Sequence, residues 1–445
     1  MIKNLATLAA LALSTMGLHA QQTWTLQQCL DYAAEHNIQV QKSRISEQEA
    51  EQTLLQSKAA LFPSLSASVS QGLSYRPFQE ATTIVQNGMA TTSNKKVTEN
   101  GSYGVNASWT IWDGGVNRKN IEAARLAGDI AATQTAQSLN TIQEQIAQLY
   151  VQILYTTESC NVNSQLAATA QQQLDRARER YAVGDLARAD VAQLESQLAQ
   201  AKYDVVNAQT QVAGYKRQLK ELLQIDISQE FDVAGEELSD ERAMALVPDK
   251  QEVYNAALQQ RPEIRAAELQ TQSADLQLNI AKRGYLPTIG MSAGIGDSHY
   301  TASEESFGEQ MKRNLNGSVG LNISVPIFDN RRTRTAIEKA KLQRTNAQLD
   351  LINQQTTLGS NIENIWLQAT TAQQRFVAAK VAVESQETNY ELINEQFKAG
   401  LKNIVDLLQA RDNLLQAQQS RLQSKYTTLL NTQLLHFYEG GIMGL

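Results

Sequence analysis

GSYGVNASWTIWDGGVNRKNIEAARL (Gly101–Leu126) and GSVGLNISVPIFDNRRTRTAIEKAKL (Gly317–Leu342) are two copies of one stretch, identical at 12 of 26 aligned positions with an offset of 216. Each copy carries strand-like alternation directly into a helical run, so the chain reads as a duplicated strand-to-helix unit. The same offset holds downstream, where YAVGDLARAD (Tyr181–Asp190) meets FKAGLKNIVD (Phe397–Asp406). Upstream, LFPSL at Leu61 meets YLPTI at Tyr285 at an offset of 224, so eight residues entered or left one copy between its two strands. Surface loops tolerate such insertions, which marks a loop there. The expected layout is a first repeat over 21–225, a connector over 226–251, a second repeat over 252–438 and a tail over 439–445.

The 445 residues carry a formal charge of −7 with no evident basic block, which disfavours nucleic acid as a partner. Lys3, the apolar Leu5–Leu13 stretch and small residues up to Ala20 predict a signal peptide over 1–20. No Cys follows the expected cleavage point, which argues against a lipid anchor. Beyond that segment no stretch of roughly 18 apolar residues occurs, so any membrane contact falls to strands. Cys29 and Cys160 are the two cysteines, and Cys160 lies on an apolar helical seam where it reads as a small buried hydrophobe rather than a disulfide partner.

Four segments alternate with period two. Leu65, Ala67, Val69, Leu73 and Tyr75 oppose Ser64, Ser66, Ser68, Ser70 and Ser74, and Tyr103, Val105, Ala107, Trp109 and Ile111 oppose a run of small and polar residues. Ile289, Met291, Ala293 and Ile295, then Val319, Leu321, Ile323, Val325 and Ile327, complete the set. The expected strands are about 64–75, 102–112, 288–296 and 318–327, with polar loops over 76–100 and 297–316. An ordinary half-buried sheet satisfies this pattern. In an exported chain, small polar faces and near-bilayer lengths also fit outer-membrane barrel strands. Four strands cannot close a barrel, and open edges cannot face lipid, so the second reading requires strands from further copies: eight from two chains or twelve from three.

Past the second strand, Ile142, Ile146, Leu149, Ile153, Thr156, Cys160, Asn163, Ala167, Ala170, Leu174, Ala177 and Tyr181 keep 4,3 spacing. Leu358, Ile362, Ile365, Ala369, Ala372, Phe376, Ala379, Val383, Gln386, Tyr390, Ile393 and Phe397 repeat it. Sustained heptads specify supercoiled helices. Roughly 67 residues of helix at 1.5 Å each give a length of about 100 Å. Gly184 and Gly400 mark the turns of two helical hairpins, after which Leu408, Leu415, Leu422 and Leu429 recur every seven residues.

Catalytic and metal motifs are missing from the sequence. His36, His299 and His436 lack ligand spacing, and no phosphate loop occurs. Gly290-Met291-Ser292-Ala293-Gly294 spells a hydrolase nucleophile elbow, but that motif needs a strand-to-helix turn, whereas here alternation continues. The chain is therefore expected not to be an enzyme and to need no cofactor. An exported coiled-coil structural protein remains an alternative with no use for four lipid-compatible strands.

Together the opening TWTLQQCLDYAAEHN, the exits IWDGG and IFDNR and the tips YAVGDLARADVAQLE and FKAGLKNIVDLLQAR resemble the TolC family of outer-membrane efflux ducts. The resemblance implies a mainly helical homotrimer, with four strands per chain in a shared twelve-stranded β-barrel and helices continuing as a periplasmic coiled-coil α-barrel. It implies three further partners: outer-membrane lipid, a periplasmic adaptor and an inner-membrane transporter. Drug efflux is the expected task, with type I protein secretion as the alternative. Gly184, Asp185, Leu186, Gly400, Leu401 and Lys402 fall at the tips an adaptor would contact. Asp406 falls where an aperture-lining carboxylate is common in the family, with Asp190 as its counterpart in the first copy. Gln409 stands where a second carboxylate can occur, so the resemblance implies a less charged constriction, and Phe397 lacks the hydroxyl that a tyrosine would bring to tip contacts, which argues against a polar latch there.

Overall fold

The computed structural model describes residues 23–78, 80–86, 89–93, 95–226, 228–235, 238–301 and 305–444. The expected signal peptide, 1–20, lies outside these residues. In chain order the first half contains β1 (Thr23–Trp24), α1 (Leu26–His36), α2 (Ile38–Ala59), β2 (Ser64–Tyr75), β3 (Thr82–Gln86), β4 (Met89–Ser93), β5 (Val97–Trp112), α3 (Val116–Ala182) and α4 (Arg188–Leu223). The second contains β6 (Asp232–Val233), α5 (Asp240–Ala243), α6 (Lys250–Gln260), α7 (Pro262–Lys282), β7 (Thr288–Tyr300), α8 (Phe307–Asn314), β8 (Asn316–Ser324), α9 (Arg332–Lys398) and α10 (Ile404–Tyr438). The two longest helices, α3 and α9, have 67 residues each, so the duplication extends to element length. No helix among the described residues is long and apolar enough to cross a membrane.

The chain divides into two compact units. One comprises residues 46–131 and 267–350 and holds a four-stranded antiparallel sheet of order β2-β5-β7-β8. Over its central rungs the register sorts residues by polarity. Leu65 pairs with Ala107, Ala107 with Ala293, and Ala293 with Val319; Trp109 pairs with Met291, and Met291 with Leu321. On the opposite face Ser64, Ser108, Ser292 and Gly320 form one row, and Ser66, Asn106, Gly294 and Ser318 the next. A slip of one residue would mix these rows, so the alternation itself fixes the register. Most of both faces, and the outer edges of β2 and β8, are exposed.

Three expected boundaries are corrected. β5 starts at Val97 rather than near 102, because the ladder with β2 runs to Tyr75 opposite Val97. β7 continues to Tyr300, where Asp297–Tyr300 pair with Asn100–Tyr103 on β5. β8 ends at Ser324 instead of 327: Pro326 has no N–H to donate to a ladder. The expected polar loops also contain regular structure. Residues 82–86 and 89–93 pair as a hairpin, and α8 forms within 297–316 behind a capping box of Ser306 and Glu309. Gln310 on α8 then acts as a surrogate strand: its Nε2 donates to the Tyr300 carbonyl at 3.2 Å, and its Oε1 accepts from the Tyr300 N–H at 2.8 Å.

The other described unit comprises residues 23–45, 132–266 and 351–444. Its largest fully buried side chains include Tyr150, Ile146, Ile153, Leu219, Ile264, Ile362, Phe376 and Leu435. Much of this is the heptad seam. Of the first-copy seam only Tyr181 is exposed, and no second-copy seam residue is. The expected irregular connector holds β6, which pairs in parallel with β1, and α5. Tyr150 Oη clamps that pair by donating to the Trp24 carbonyl at 3.2 Å and the Ala234 carbonyl at 2.9 Å. Cys29 and Cys160 are free thiols, and burial pushes Cys29 up to about 12.

Candidate functional site

The two hairpin tips are built alike. Gly184 (φ +80°) and Gly400 (φ +75°) occupy the left-handed region, where a glycine avoids the Cβ clash of other residues. Asp185 N–H donates to the Arg180 carbonyl at 2.9 Å and Gly184 N–H to the Tyr181 carbonyl at 3.0 Å. Leu401 N–H donates to the Gln396 carbonyl at 2.9 Å and Gly400 N–H to the Phe397 carbonyl at 3.1 Å. This bonding satisfies the last carbonyls of α3 and α9 and turns the chain sharply. Gly184, Asp185, Gly400, Leu401 and Lys402 are exposed, whereas Leu186 is half-buried.

Leu186 is drawn in because the two tips share a core. Ala170, Leu174, Ala177, Val191, Leu194 and Leu198 of the first hairpin pack with Ile404, Leu407 and Leu408 of the second, and Leu186, Tyr390, Ile393 and Phe397 pack against them. Arg180 bridges the hairpins: its Nε holds Asp185 at 2.8 Å, and its guanidinium lies 6.0 Å from the Phe397 ring centre. A cavity of about 110 Å³ opens beside Leu186 and Phe397, with Arg176, Arg180 and Lys398 in its wall. Of these three cations Arg180 pairs with Asp185 and Lys398 with Glu395 at 2.5 Å.

Asp190 and Asp406 both lie in the first turn of their helices, α4 and α10, where a carboxylate faces the positive end of the helix dipole. The two sites differ in detail. Asn403 caps α10, its Oδ1 accepting from the Asp406 N–H at 2.9 Å, whereas Ala187 offers α4 no side-chain cap. Lys402 Nζ stands 3.6 Å from Asp406 Oδ2, with both side chains partly exposed. The Asp406 carboxylate is thus partnered within its own chain. Gln409 is exposed on the same helix and donates from Nε2 to Asn413 Oδ1 at 2.9 Å.

Three tip features escaped the sequence reading. The Lys402–Asp406 pair is an i,i+4 spacing and the Asn403 cap precedes a first-turn carboxylate, so both had a local signal. Arg411 had none. Its guanidinium is buried on α10 and binds Asp412 through Nη2 at 2.6 Å, while Tyr390 accepts from Gln173 Nε2 at 3.0 Å nearby. Burial pushes the Tyr390 hydroxyl up, opposed by its bond to Gln173 and the Arg411 charge.

The hydrolase motif is not realised. Ser292 lies in mid-β7, opposite Ser108 and Gly320, and the strand continues to Tyr300 without a strand-to-helix turn. No group of three or more His, Cys, Asp or Glu able to hold a metal occurs among the described residues.

Comparison with known proteins gives a consistent result. The model of a family described as outer membrane efflux protein matches residues 29–223 and 253–441, one match per repeat. The outer membrane efflux protein BepC of Brucella suis biovar 1 (strain 1330) is 23% identical over 366 residues, covering 80% of this chain and 75% of BepC. The outer membrane protein TolC of Salmonella enteritidis is 25% identical over 294 residues, 64% of this chain and 58% of its own length. Among solved structures, the outer membrane protein VceC from Vibrio cholerae superposes with a TM-score of 0.74 over 94% of this chain and 96% of VceC, at 19% identity.

Proposed function

Because the chain belongs to the outer membrane efflux protein family, we propose that it is the outer-membrane duct of a tripartite efflux system, passing small molecules such as drugs outward. The carrying observation is the four-stranded sheet. Over the central rungs one face is apolar and the other is Ser, Gly and Asn, and both edges are open. Such a sheet fits a wall between lipid and water, and lipid does not accept its open edges. Three copies would join β8 of one chain to β2 of the next and close twelve strands around a polar lumen, with α3, α4, α9 and α10 extending into the periplasm. An inner-membrane transporter then supplies the substrate and a periplasmic adaptor bridges to the hairpin tips.

Adaptor docking at Gly184, Asp185, Leu186, Gly400, Leu401 and Lys402 is favoured by their place at the ends of the hairpins and by the groove beside Leu186, which could seat a partner side chain. Asp406, with Asp190 and Gln409 as further candidates, would line the aperture; Lys402 would partly neutralise a ring of three Asp406 carboxylates. Protein secretion is the second reading, favoured by one relative, the alkaline protease secretion protein AprF of Pseudomonas aeruginosa, 24% identical over 184 residues. The deciding experiment is the particle mass, with detergent subtracted, of the protein extracted from a fractionated outer membrane. A trimer from that fraction is expected. A soluble monomer or dimer overturns the duct and returns the strands to an ordinary sheet.

A further inference from the structure

Where the sheet gives way to helices, its unit gathers two kinds of side chain. The first is an apolar band: Phe62, Trp112, Tyr285, Ile327 and Phe328 are exposed, the last two by 84% or more. The second is basic. Arg118, Lys282, Arg331, Arg332 and Arg334 are exposed at the same junctions, and none of them forms an ion pair within 4 Å among the described residues. Arg331, Arg332 and Arg334 are neighbours in the chain and folding adds Arg118 and Lys282, so the expected absence of a basic block fails here.

The junctions are knitted together. Arg283 donates from Nη1 to the Gly114 carbonyl, a Cβ on Gly114 would meet Leu286 at 2.8 Å, and a Cβ on Gly284 would meet Thr333 at 3.0 Å. Neighbouring acids have closer partners of their own, although Asp329 also feels the Arg332 charge. Asp113 and Asp329 each accept a backbone N–H at 2.8 Å, from Asn117 and Thr333. Glu122 pairs with Lys119 at 2.6 Å, and Glu338, which also feels the charges of Arg331 and Arg334, pairs with Lys341 at 2.9 Å.

The repeat adds an independent sign. Gly114 (φ +72°) and Gly115 (φ +79°) correspond, at the offset of 216, to Asn330 (φ +50°) and Arg331 (φ +68°). The backbone conformation is retained, but the second copy places an arginine where the first has a glycine. A long side chain held in the left-handed region is strained, and strain of this kind accumulates where a residue has a task besides folding.

We propose that Arg331, Arg332 and Arg334, with Arg118 and Lys282, form a collar that binds the anionic headgroup phosphate of a membrane phospholipid, its acyl chains lying against the adjoining aromatic band. The proposal rests on the duct reading, which sets the apolar sheet face in lipid. Three observations select this occupant: a cationic patch without an ion pair within 4 Å among the described residues, its continuity with the apolar face, and the fit of guanidinium forks to phosphate oxygens. Aromatic girdles mark membrane interfaces, and basic clusters beside them attract anionic lipid.

Full-length protein in detergent is titrated with phosphatidylglycerol or with phosphatidylethanolamine, and retained lipids are counted by native mass spectrometry. Wild-type protein is expected to retain phosphatidylglycerol in preference, and inorganic phosphate should not displace it. The triple variant Arg331→Gln, Arg332→Gln, Arg334→Gln should lose about tenfold or more in that affinity, while the triple Lys variant keeps most of it. Arg331→Gly suits the backbone and should weaken lipid retention with no loss of thermal stability, separating binding from folding. Equal retention by wild type and the Gln variant overturns the collar, as does full displacement by inorganic phosphate. Flotation with vesicles of phosphatidylethanolamine alone tests the duct reading. Protein that floats there but shows no preference for the anionic lipid sinks only the collar; protein that does not float sinks both.

Discussion

Asp240 ties the connector to the long helices by meeting three cations: Arg421 at 2.8 Å, Lys425 at 3.4 Å and Lys380 at 3.7 Å. Partial burial pushes its carboxyl up, but the Arg421 hydrogen bond and charge, joined by Lys425, outweigh that and hold it below the usual carboxylate range. A depressed folded value means that the stabilisation is fully present above the ordinary carboxylate range and fades as pH falls through the folded value. Asp240→Asn should therefore lower the unfolding midpoint at neutral pH, at a cost of about 1–3 kcal/mol, and this difference from wild type should shrink in acid. A pH-independent difference would show that the charge is immaterial. At the tips, Asp406→Ala is expected to raise cation leak through purified channels, and Lys402→Ala to increase cation selectivity by exposing the carboxylate 3.6 Å away. Unchanged conductance and selectivity in both would remove this pair from any gate.

The helices owe their stability to a seam one or two residues wide. Phe376 is fully buried at a heptad position of α9, so Phe376→Ala should cost about 3–5 kcal/mol in a denaturant titration, with Leu→Ala at exposed Leu342 far less damaging to the isolated chain. Similar losses at both positions would mean that Leu342 is covered in the assembled protein. The heptads were legible because their 3.5-residue period is a local property of the chain. The buried Arg411 was not, since nothing on α10 alone shows that its charge is felt by Tyr390 of another helix. Hairpin β3–β4 and helix α8 were likewise hidden inside segments whose polar composition reads as loop. In α8 a capping box was present in the sequence, and Gln310 finds its role only against the end of β7.

For the molecule as a whole, the two faces of the sheet should respond differently to charge. Leu321→Arg places a cation on the apolar face, where it should cost about 2–4 kcal/mol and deplete assembled protein in the outer membrane. Asn322→Arg, one residue on, points to the Ser, Gly and Asn face and should preserve assembly while shifting conductance toward anions. If both variants assemble equally well, the apolar face does not meet lipid.

The sequence alone determined the duplication, the four alternating strands, the heptad seams and the glycines at the tips, because each depends on residues close together in the chain or on the offset between copies. Only the tertiary structure decided which strands are neighbours, that β5 and β7 occupy the centre with β2 and β8 at the edges, and that Asp406 already has a cation beside it. It alone brought Arg118, Lys282 and Arg331–Arg334 to adjoining strand-to-helix junctions. The physical reason is common to all of these: period and turn preference act along the backbone, whereas strand partners and charge neighbours depend on which segments the fold brings together in space.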